Sequence, residues 1–334
     1  MYHSIIVDKS QPLDDRSSTG RRQPWAEHRT AAEILAVAYE DIDERKADRL
    51  RSCAPRLFYT VVDADGVKRL KLHTAWFCRV RLCPVCQWRR SLKVFGQAAE
   101  VIRAANAKKP GGYGWIMLTL TVRNVEGAAL PSTIDQMGKA WHRLLKVKRW
   151  TKAVLGTMRS LEVTHNVNPG SKSYDTYHPH YHALLCVRKS YFKSRDYINH
   201  AEWVELWRKA ARLNYDPRVD VRRIYGATPA AIAEVAKYAA KPGDYIVPDD
   251  VDLMLSAVQT LDGALNRRRL VAWTGLLKEI HAELQLDDTE DGDLVHTDIN
   301  PDEDAAADEH LEIAYSWLRQ QRNYFKEVHI DAET

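Results

Sequence analysis

Three histidines fall at every second position in His178-Pro-His180-Tyr-His182, which runs into the apolar stretch Ala-Leu-Leu-Cys-Val187. Alternate residues of an extended strand project from one face, so the three imidazoles line up. On a helix, residues two apart do not face each other. Pro179 removes a backbone donor and fits a strand start or edge. The spacing therefore predicts a metal site on a strand. Its natural carboxylate is Glu162, on the polar side of the alternating stretch Ser160-Leu-Glu-Val-Thr164. Two imidazoles and one carboxylate leave coordination positions open for water or substrate oxygens. Imidazole with carboxylate suits Mn²⁺, and phosphate chemistry often uses Mg²⁺, so both ions are expected candidates for His180, His182 and Glu162.

A second reactive stretch is Glu234-Val-Ala-Lys-Tyr238-Ala-Ala-Lys241-Pro-Gly-Asp-Tyr245. If helical, it sets Glu234 and Tyr238 one turn apart on one face, with Lys237 and Lys241 on a neighbouring stripe. Pro242-Gly243 should end the helix before Tyr245. A phenol with a pKa of about 10 is ionised in roughly one molecule in a thousand at neutral pH. As a nucleophile it needs a nearby cation, a base or a polarised electrophile.

A third cluster is Cys78-Arg-Val-Arg-Leu-Cys83-Pro-Val-Cys86, with Cys53 upstream. Thiolates so spaced can close a tetrahedral zinc site, with Cys53 or His73 as the fourth ligand. A redox pair is the alternative for the Cys-x2-Cys element, and Cys186 is expected in the core. Gln87-Trp-Arg-Arg-Ser-Leu-Lys93 follows at once, so Arg89, Arg90 and Lys93 are expected to contact phosphates of a nucleic acid.

These residues need elements to position them. Trp115 to Arg123 reads as a strand with Thr119 and Thr121 on its polar side, and Met158 to His165 as another. Together with the His strand they predict an antiparallel sheet with one face on the core and one open. Leu57 to Val62 and Arg69 to Phe77 form a hairpin around Gly66. Helices are expected over 31–50, 87–106, 131–150, 201–213, 229–240, 261–284 and 305–325, with a short strand over 220–224. Residues 1 to about 25 lack periodicity and are expected to be disordered. The class is α+β.

At 334 residues and 45% hydrophobic content, the chain has enough apolar material for a sizeable core. The net charge of +4 conceals a polarity. From Arg45 to Lys152 there are 23 Lys/Arg against 6 Asp/Glu, while from Glu283 onward 16 acidic residues face 3 basic ones. A basic body points to a polyanionic partner, and the acidic end either competes for that surface or is a solvated extension. No apolar run is long enough to cross a membrane and no signal-peptide pattern is seen, so a cytoplasmic protein is expected. In that setting five cysteines suggest metal ligands or core residues rather than disulfides.

Taken together, the motifs resemble the initiator proteins of plasmid rolling-circle replication, within the HUH (His-hydrophobic-His) endonucleases. The segments that carry the resemblance are Leu118-Thr-Leu-Thr121, Leu161-Glu-Val-Thr164, Tyr177-His-Pro-His-Tyr-His-Ala-Leu-Leu185 and Glu234-Val-Ala-Lys-Tyr238. Phe77 to Leu92 and Trp273-Thr-Gly-Leu-Leu-Lys-Glu-Ile280 add to it. The resemblance covers about residues 50–286 and implies a central antiparallel sheet (RRM-like) with the metal on its open face and flanking helices. It divides the chain into an extension (1–45), a zinc segment with a basic helix (46–110), a nuclease core (111–250), a C-terminal helix (251–286) and an acidic tail (287–334).

The resemblance also implies that Tyr238 attacks a scissile phosphate in single-stranded DNA, extruded at the double-strand origin. A 5′-phosphotyrosine and a free 3′-OH primer result. Lys237, Lys241, Arg89, Arg90, Lys93, Thr119 and Thr121 would meet the DNA. Glu234 would activate water for the second cleavage, with Tyr245 as the rival. Host helicase and polymerase are the implied partners, and a dimer on the origin is possible in that scheme. Competing classes are a relaxase or single-strand transposase of the same superfamily, and a zinc-dependent DNA-binding regulator without chemistry.

Overall fold

The computed structural model describes residues 4–17, 20–64, 67–225, 229–237, 239–297 and 312–330. Tyr238 and Gly66 lie outside them, so the expectations resting on those two are not addressed by the fold. Along the chain run β1 (Ser4–Pro12), α1 (Trp25–Glu40), α2 (Glu44–Arg51), β2 (Arg56–Ala64), β3 (Val67–Ala75), α3 (Pro84–Ala107) and β4 (Gly114–Thr121). Then come α4 (Leu130–Leu144), α5 (Lys148–Ala153), β5 (Val154–His165), β6 (Tyr177–Val187), α6 (His200–Ala211), β7 (Val219–Ile224) and α7 (Pro229–Val235). The last elements are α8 (Val251–Leu265), β8 (Val271–Thr274), α9 (Gly275–Glu283), β9 (Glu312–Leu318) and β10 (Asn323–Ile330). The chain forms two compact units, Met1–Arg89 with Asp293–Thr334, and Arg90–Gly292.

The first unit is built on an antiparallel sheet in the order β1-β10-β9-β2-β3. Two expectations are corrected here. Residues 4–12, expected to be disordered, form β1, and the described part of the helix expected over 305–325 is strand β9 and the start of β10. The physical reason is long-range pairing: β1 lies along β10, and β9 lies along β2. The single helix expected over 31–50 is divided into α1 and α2 at Asp43, whose carboxylate accepts from Lys46 N as an N-cap. Burying Trp25 places its indole edge-on to Trp88 at 4.7 Å, and its Nε1 donates to Asp15 at 2.7 Å.

His28, on α1, stacks on Trp88 at 5.2 Å. Burial pushes its imidazole down from 6.5 to about 4, with Glu27 pulling weakly the other way. The folded state thus holds a neutral ring where the unfolded chain would take a proton. Stability is full above about pH 6.5 and is lost as the pH falls toward 4, by on the order of 3 kcal/mol. Denaturant titrations of wild type and His28→Gln across that window should diverge, the wild type losing more; parallel curves would remove His28 as the cause.

The second unit holds an antiparallel sheet in the order β7-β4-β6-β5-β8, with the His strand β6 at its centre between β4 and β5. On one face Tyr181 meets Trp141 of α4 at 5.8 Å and Trp207 of α6 at 6.4 Å, and Trp207 Nε1 donates to the Thr121 carbonyl. The opposite face is open only in part, which corrects the expectation of a wholly open polar face. Trp115, Met117, Met158, Leu184 and Cys186 pack there with Val94, Val101 and Ile102 of α3, Ile232 and Val235 of α7, and Leu277 and Ile280 of α9. The same parity that lines up His178, His180 and His182 continues into Leu184 and Cys186. One face is therefore polar at one end and apolar at the other.

Three expected helices in this unit are shorter or broken. The helix over 131–150 divides into α4 and α5. That over 229–240 ends at Val235. That over 261–284 is interrupted by β8, which pairs with β5. Gly275 makes the turn from β8 into α9 with φ +53°, and a Cβ there would stand 2.3 Å from the Leu155 carbonyl oxygen. Only glycine fits that approach.

Candidate active site

Strand register assembles the polar end. Glu162 and Thr121 flank His180 on either side, and Ser160 and Thr119 flank His182. In consequence His182 Nε2 and His180 Nε2 converge on the same oxygen of Glu162, at 2.9 Å and 3.3 Å. The three potential ligand atoms lie within 4.8 Å of one another, and all three residues are buried. His180 Nδ1 faces the His178 carbonyl at 2.9 Å, an acceptor only, so Nδ1 carries a proton and Nε2 is the atom turned to the cluster. His182 Nδ1 stands 3.3 Å from Thr119 Oγ1 and 3.6 Å from the Glu234 carboxylate.

The donor set fits a divalent ion: two imidazole nitrogens, which bind a metal through their lone pairs, and one anionic oxygen, with outer partners fixing the ring orientations. Ser160 Oγ, beside His182, is buried without a hydrogen-bond partner among the described residues. Burial alone would raise the Glu162 pKa, but hydrogen bonds from His180 and His182 and the charge of Lys241 hold it well below the usual carboxylate range. It is a standing anion. His178, the third aligned histidine, is outside the cluster; it stacks on His180 at 5.1 Å, and burial lowers its pKa.

The segment after α7 is brought to this cluster. The Val163 N–H donates to Ala239 O at 2.7 Å, pinning the residue next to Tyr238 onto β5. Lys241 Nζ lies 3.3 Å from Glu162 Oε1, and Lys237 pairs with Glu234. His165, which sequence reasoning passed over, anchors the same segment. Its Nδ1 donates to Asp244 O at 2.8 Å, its Nε2 meets Asp175 at 2.9 Å, and its ring stacks on Tyr177 at 4.3 Å. Position alone could have flagged it, a histidine ending the strand that carries Glu162. Tyr245 is wholly buried.

A second donor cluster lies in the other unit. Cys53, Cys78, Cys83 and Cys86 form a buried four-sulfur group that could bind zinc. The Cys53–Cys86, Cys78–Cys86 and Cys53–Cys83 sulfur separations are each 3.6 Å. That is close to the tetrahedron edge of about 3.8 Å set by a Zn–S bond of about 2.3 Å, and far beyond a disulfide bond of about 2.05 Å. The backbone N–H groups of Cys78 and Arg79 donate to Cys53 Sγ and Cys86 Sγ. Cys53 therefore takes the fourth corner. His73 is exposed and lies 2.9 Å from Thr74 Oγ1 instead.

The model of the replication-protein family matches residues 69–325, spanning both the histidine strand and three of the four cysteines. The chain belongs to that family. Among its relatives, a protein Rep of Bacillus amyloliquefaciens is 39% identical over 338 aligned positions, 93% of this chain and 96% of that protein. One from Lactiplantibacillus plantarum is 36% identical over 95% of this chain and 99% of its own length. A replication protein of Staphylococcus aureus is 38% identical over 69% of this chain and 97% of that protein. No solved structure matches.

In this replication protein the basic start of α3 is largely engaged within the chain. Arg89 is buried and donates to the carbonyls of Leu294 and Val295, at 2.9 Å and 2.6 Å. Lys93 is buried against Asp287 at 2.5 Å and Asp288 O at 2.9 Å, and Arg90 reaches Glu290 O. The first acidic residues of the C-terminal stretch thus pack on the basic helix. Thr119 and Thr121 sit on the cluster face, Thr121 Oγ1 donating to Arg218 O at 2.8 Å. No helix among the described residues is long and apolar enough to cross a membrane.

Proposed function

We propose that this replication protein initiates rolling-circle replication of a plasmid by nicking one strand at the double-strand origin, with Tyr238 as nucleophile. The observation that carries the reading is the Glu162–His180–His182 cluster with Lys241 and Glu234 drawn against it. The phenol oxygen of Tyr238 forms a bond to phosphorus, the P–O3′ bond breaks, and the 3′ oxygen leaves as a hydroxyl that can prime synthesis. The 5′-phosphotyrosine conserves the phosphodiester's energy, so rejoining needs no ATP. A divalent ion, Mn²⁺ or Mg²⁺, held by His180, His182 and Glu162 would polarise the phosphate as a Lewis acid.

The chain's own residues supply the rest. Lys237 and Lys241 bring positive charge to a site where charge develops on phosphate oxygens and on the phenol. Thr119 orients His182. For the second cleavage Glu234, half-exposed at the cluster, acts as base toward water; the enclosure of Tyr245 weighs against it as a second nucleophile. Zinc at the four cysteines would be structural. In this scheme residues 111–250 are the nuclease core, the cytoplasm is the compartment, and origin DNA, a host helicase and a polymerase are the partners.

Covalent capture tests the reading. Incubated with its origin strand and Mn²⁺, wild type should give a denaturant-resistant protein–DNA adduct. The adduct should vanish in Tyr238→Phe and with chelator. Tight origin binding with no adduct from wild type would sink the catalytic reading.

A further inference from the structure

Strand β4, which carries Thr119 and Thr121 on the cluster face, runs on past the metal cluster, and round its end lies the face packed by α4 and α6. His178 donates to the backbone carbonyl of Val122, directly after Thr121, which pairs with His180. The next residue, Arg123, is exposed. Its guanidinium carbon sits 3.9 Å from the centre of the Tyr215 ring, stacking distance, and its backbone N–H donates to Tyr215 Oη at 2.9 Å. The hydroxyl fixes the ring, and the ring supports the cation. Beside them, on the α4–α6 face of the sheet and round the strand end from the cluster, opens a cleft of about 170 Å³ with apolar walls from Val122, Met137 and Leu213. The exposed Gln136 also lines it, and no hydrogen bond engages its amide among the described residues. Arg218, whose carbonyl accepts from Thr121 Oγ1, adds a second exposed cation at the same strand end.

We infer that this cleft holds one unstacked base of the single-stranded DNA whose phosphate lies at the metal cluster. The inference rests on the nicking reading for the identity of the strand and deepens it by naming a base-binding subsite. Size fits a small occupant: a cleft of about 170 Å³ admits a flat heterocyclic ring and no duplex. Chemistry points the same way. Apolar walls and a supported guanidinium suit a heterocycle's faces, a free amide suits its hydrogen-bonding edge, and the cations suit the flanking phosphates. Proteins that grip single strands combine such stacking platforms with a positive track.

The test separates base from backbone. Fluorescence anisotropy at fixed salt would compare binding of oligothymidylate with that of an abasic strand of the same length. Wild type should bind the thymidylate about tenfold more tightly, within the range of one base–aromatic stack. Tyr215→Ala should lose that preference while binding the abasic strand as wild type does, and Tyr215→Phe, which keeps the ring, should retain it. Equal binding of the two strands by wild type would overturn the inference. So would a Tyr215→Ala defect of the same size on both strands, or none on either. Because the readout is equilibrium binding, it does not depend on covalent capture, and failure here is distinguishable from failure of the nicking reading.

Discussion

Glu162→Gln should slow nicking about a thousandfold and shift the divalent-ion requirement to much higher concentration. The substitution keeps the shape of the side chain and removes its charge. Glu162 is a buried anion on which two imidazoles converge, at 2.9 Å and 3.3 Å, so it is the only negative charge in the three-atom set. Loss of a single oriented electrostatic stabiliser typically slows a reaction about 10²–10³-fold. Loss of outer-sphere support alone weakens metal binding about 10–100-fold. A direct donor should sit at the upper end of both. Tyr238→Phe gives the contrast: under the proposed mechanism it removes the attacking oxygen, and no ion concentration should restore the adduct. Glu162→Gln should be partly rescued by excess Mn²⁺, because both imidazoles remain.

Single-turnover nicking against ion concentration separates the two variants. A Glu162→Gln protein that nicks like wild type at low Mn²⁺ would show the carboxylate to be no ligand. The cluster would then be a buried ion pair with Lys241 and the histidines, whose disruption lowers the melting temperature instead, at about 3–5 kcal/mol for an uncompensated buried charge.

What the sequence showed of this site was local. Period-two alternation over residues 116–122, 160–164 and 178–182 was enough to place Thr119, Glu162, His180 and His182 on one face, because strand parity is fixed by covalent geometry. The neighbourhood of β4, β5 and β6 followed from the motifs taken together. Less legible were features set by distant partners. Ser4–Pro12 carries few signals of its own and becomes a strand by pairing with residues more than 300 positions away. The acidic composition before Glu312 disguised the alternation of Ile313, Tyr315 and Trp317, which a period count restricted to 312–318 would have shown. Residues 261–284 have enough helical composition to read as one element. Only pairing of Val271–Thr274 with β5, and the tight approach at Gly275, divide it. The role of His165 was also hidden, since its two partners, Asp175 and the Asp244 carbonyl, come from different loops.

Removing the metal from the four-cysteine group should unfold the unit that carries it while the histidine cluster's unit stays folded. Cys53, Cys83 and Cys86 have no exposed surface and Cys78 has 9%. Around them the chain is tied by hydrogen bonds: the Ala54 N–H donates to Trp76 O at 2.6 Å, Tyr324 Oη donates to Ala54 O at 2.6 Å, and Arg49 reaches Cys78 O. Burial pushes the Cys83 thiol up, whereas hydrogen bonds from the other three sulfurs and from the Arg79 N–H hold the equally buried Cys86 well below the usual thiol range, so the four sulfurs do not hold their protons alike. A structural zinc contributes about 10–16 kcal/mol of apparent binding free energy. A whole domain is stable by only about 5–15 kcal/mol. A zinc ion held there would therefore decide whether this unit folds.

Elemental analysis should find one zinc per chain in wild type and none in Cys83→Ser. A strong chelator should abolish the near-ultraviolet dichroism of the Trp25–Trp88 pair, whose rings meet edge-on at 4.7 Å. Protease should then cut within residues 1–89 and spare 90–292. Cys186→Ser, on the buried thiol outside the group, should leave zinc content and dichroism unchanged. If wild type purified without zinc melts as the zinc-loaded protein does, the four sulfurs are core packing, and the unit's stability must come from its sheet alone.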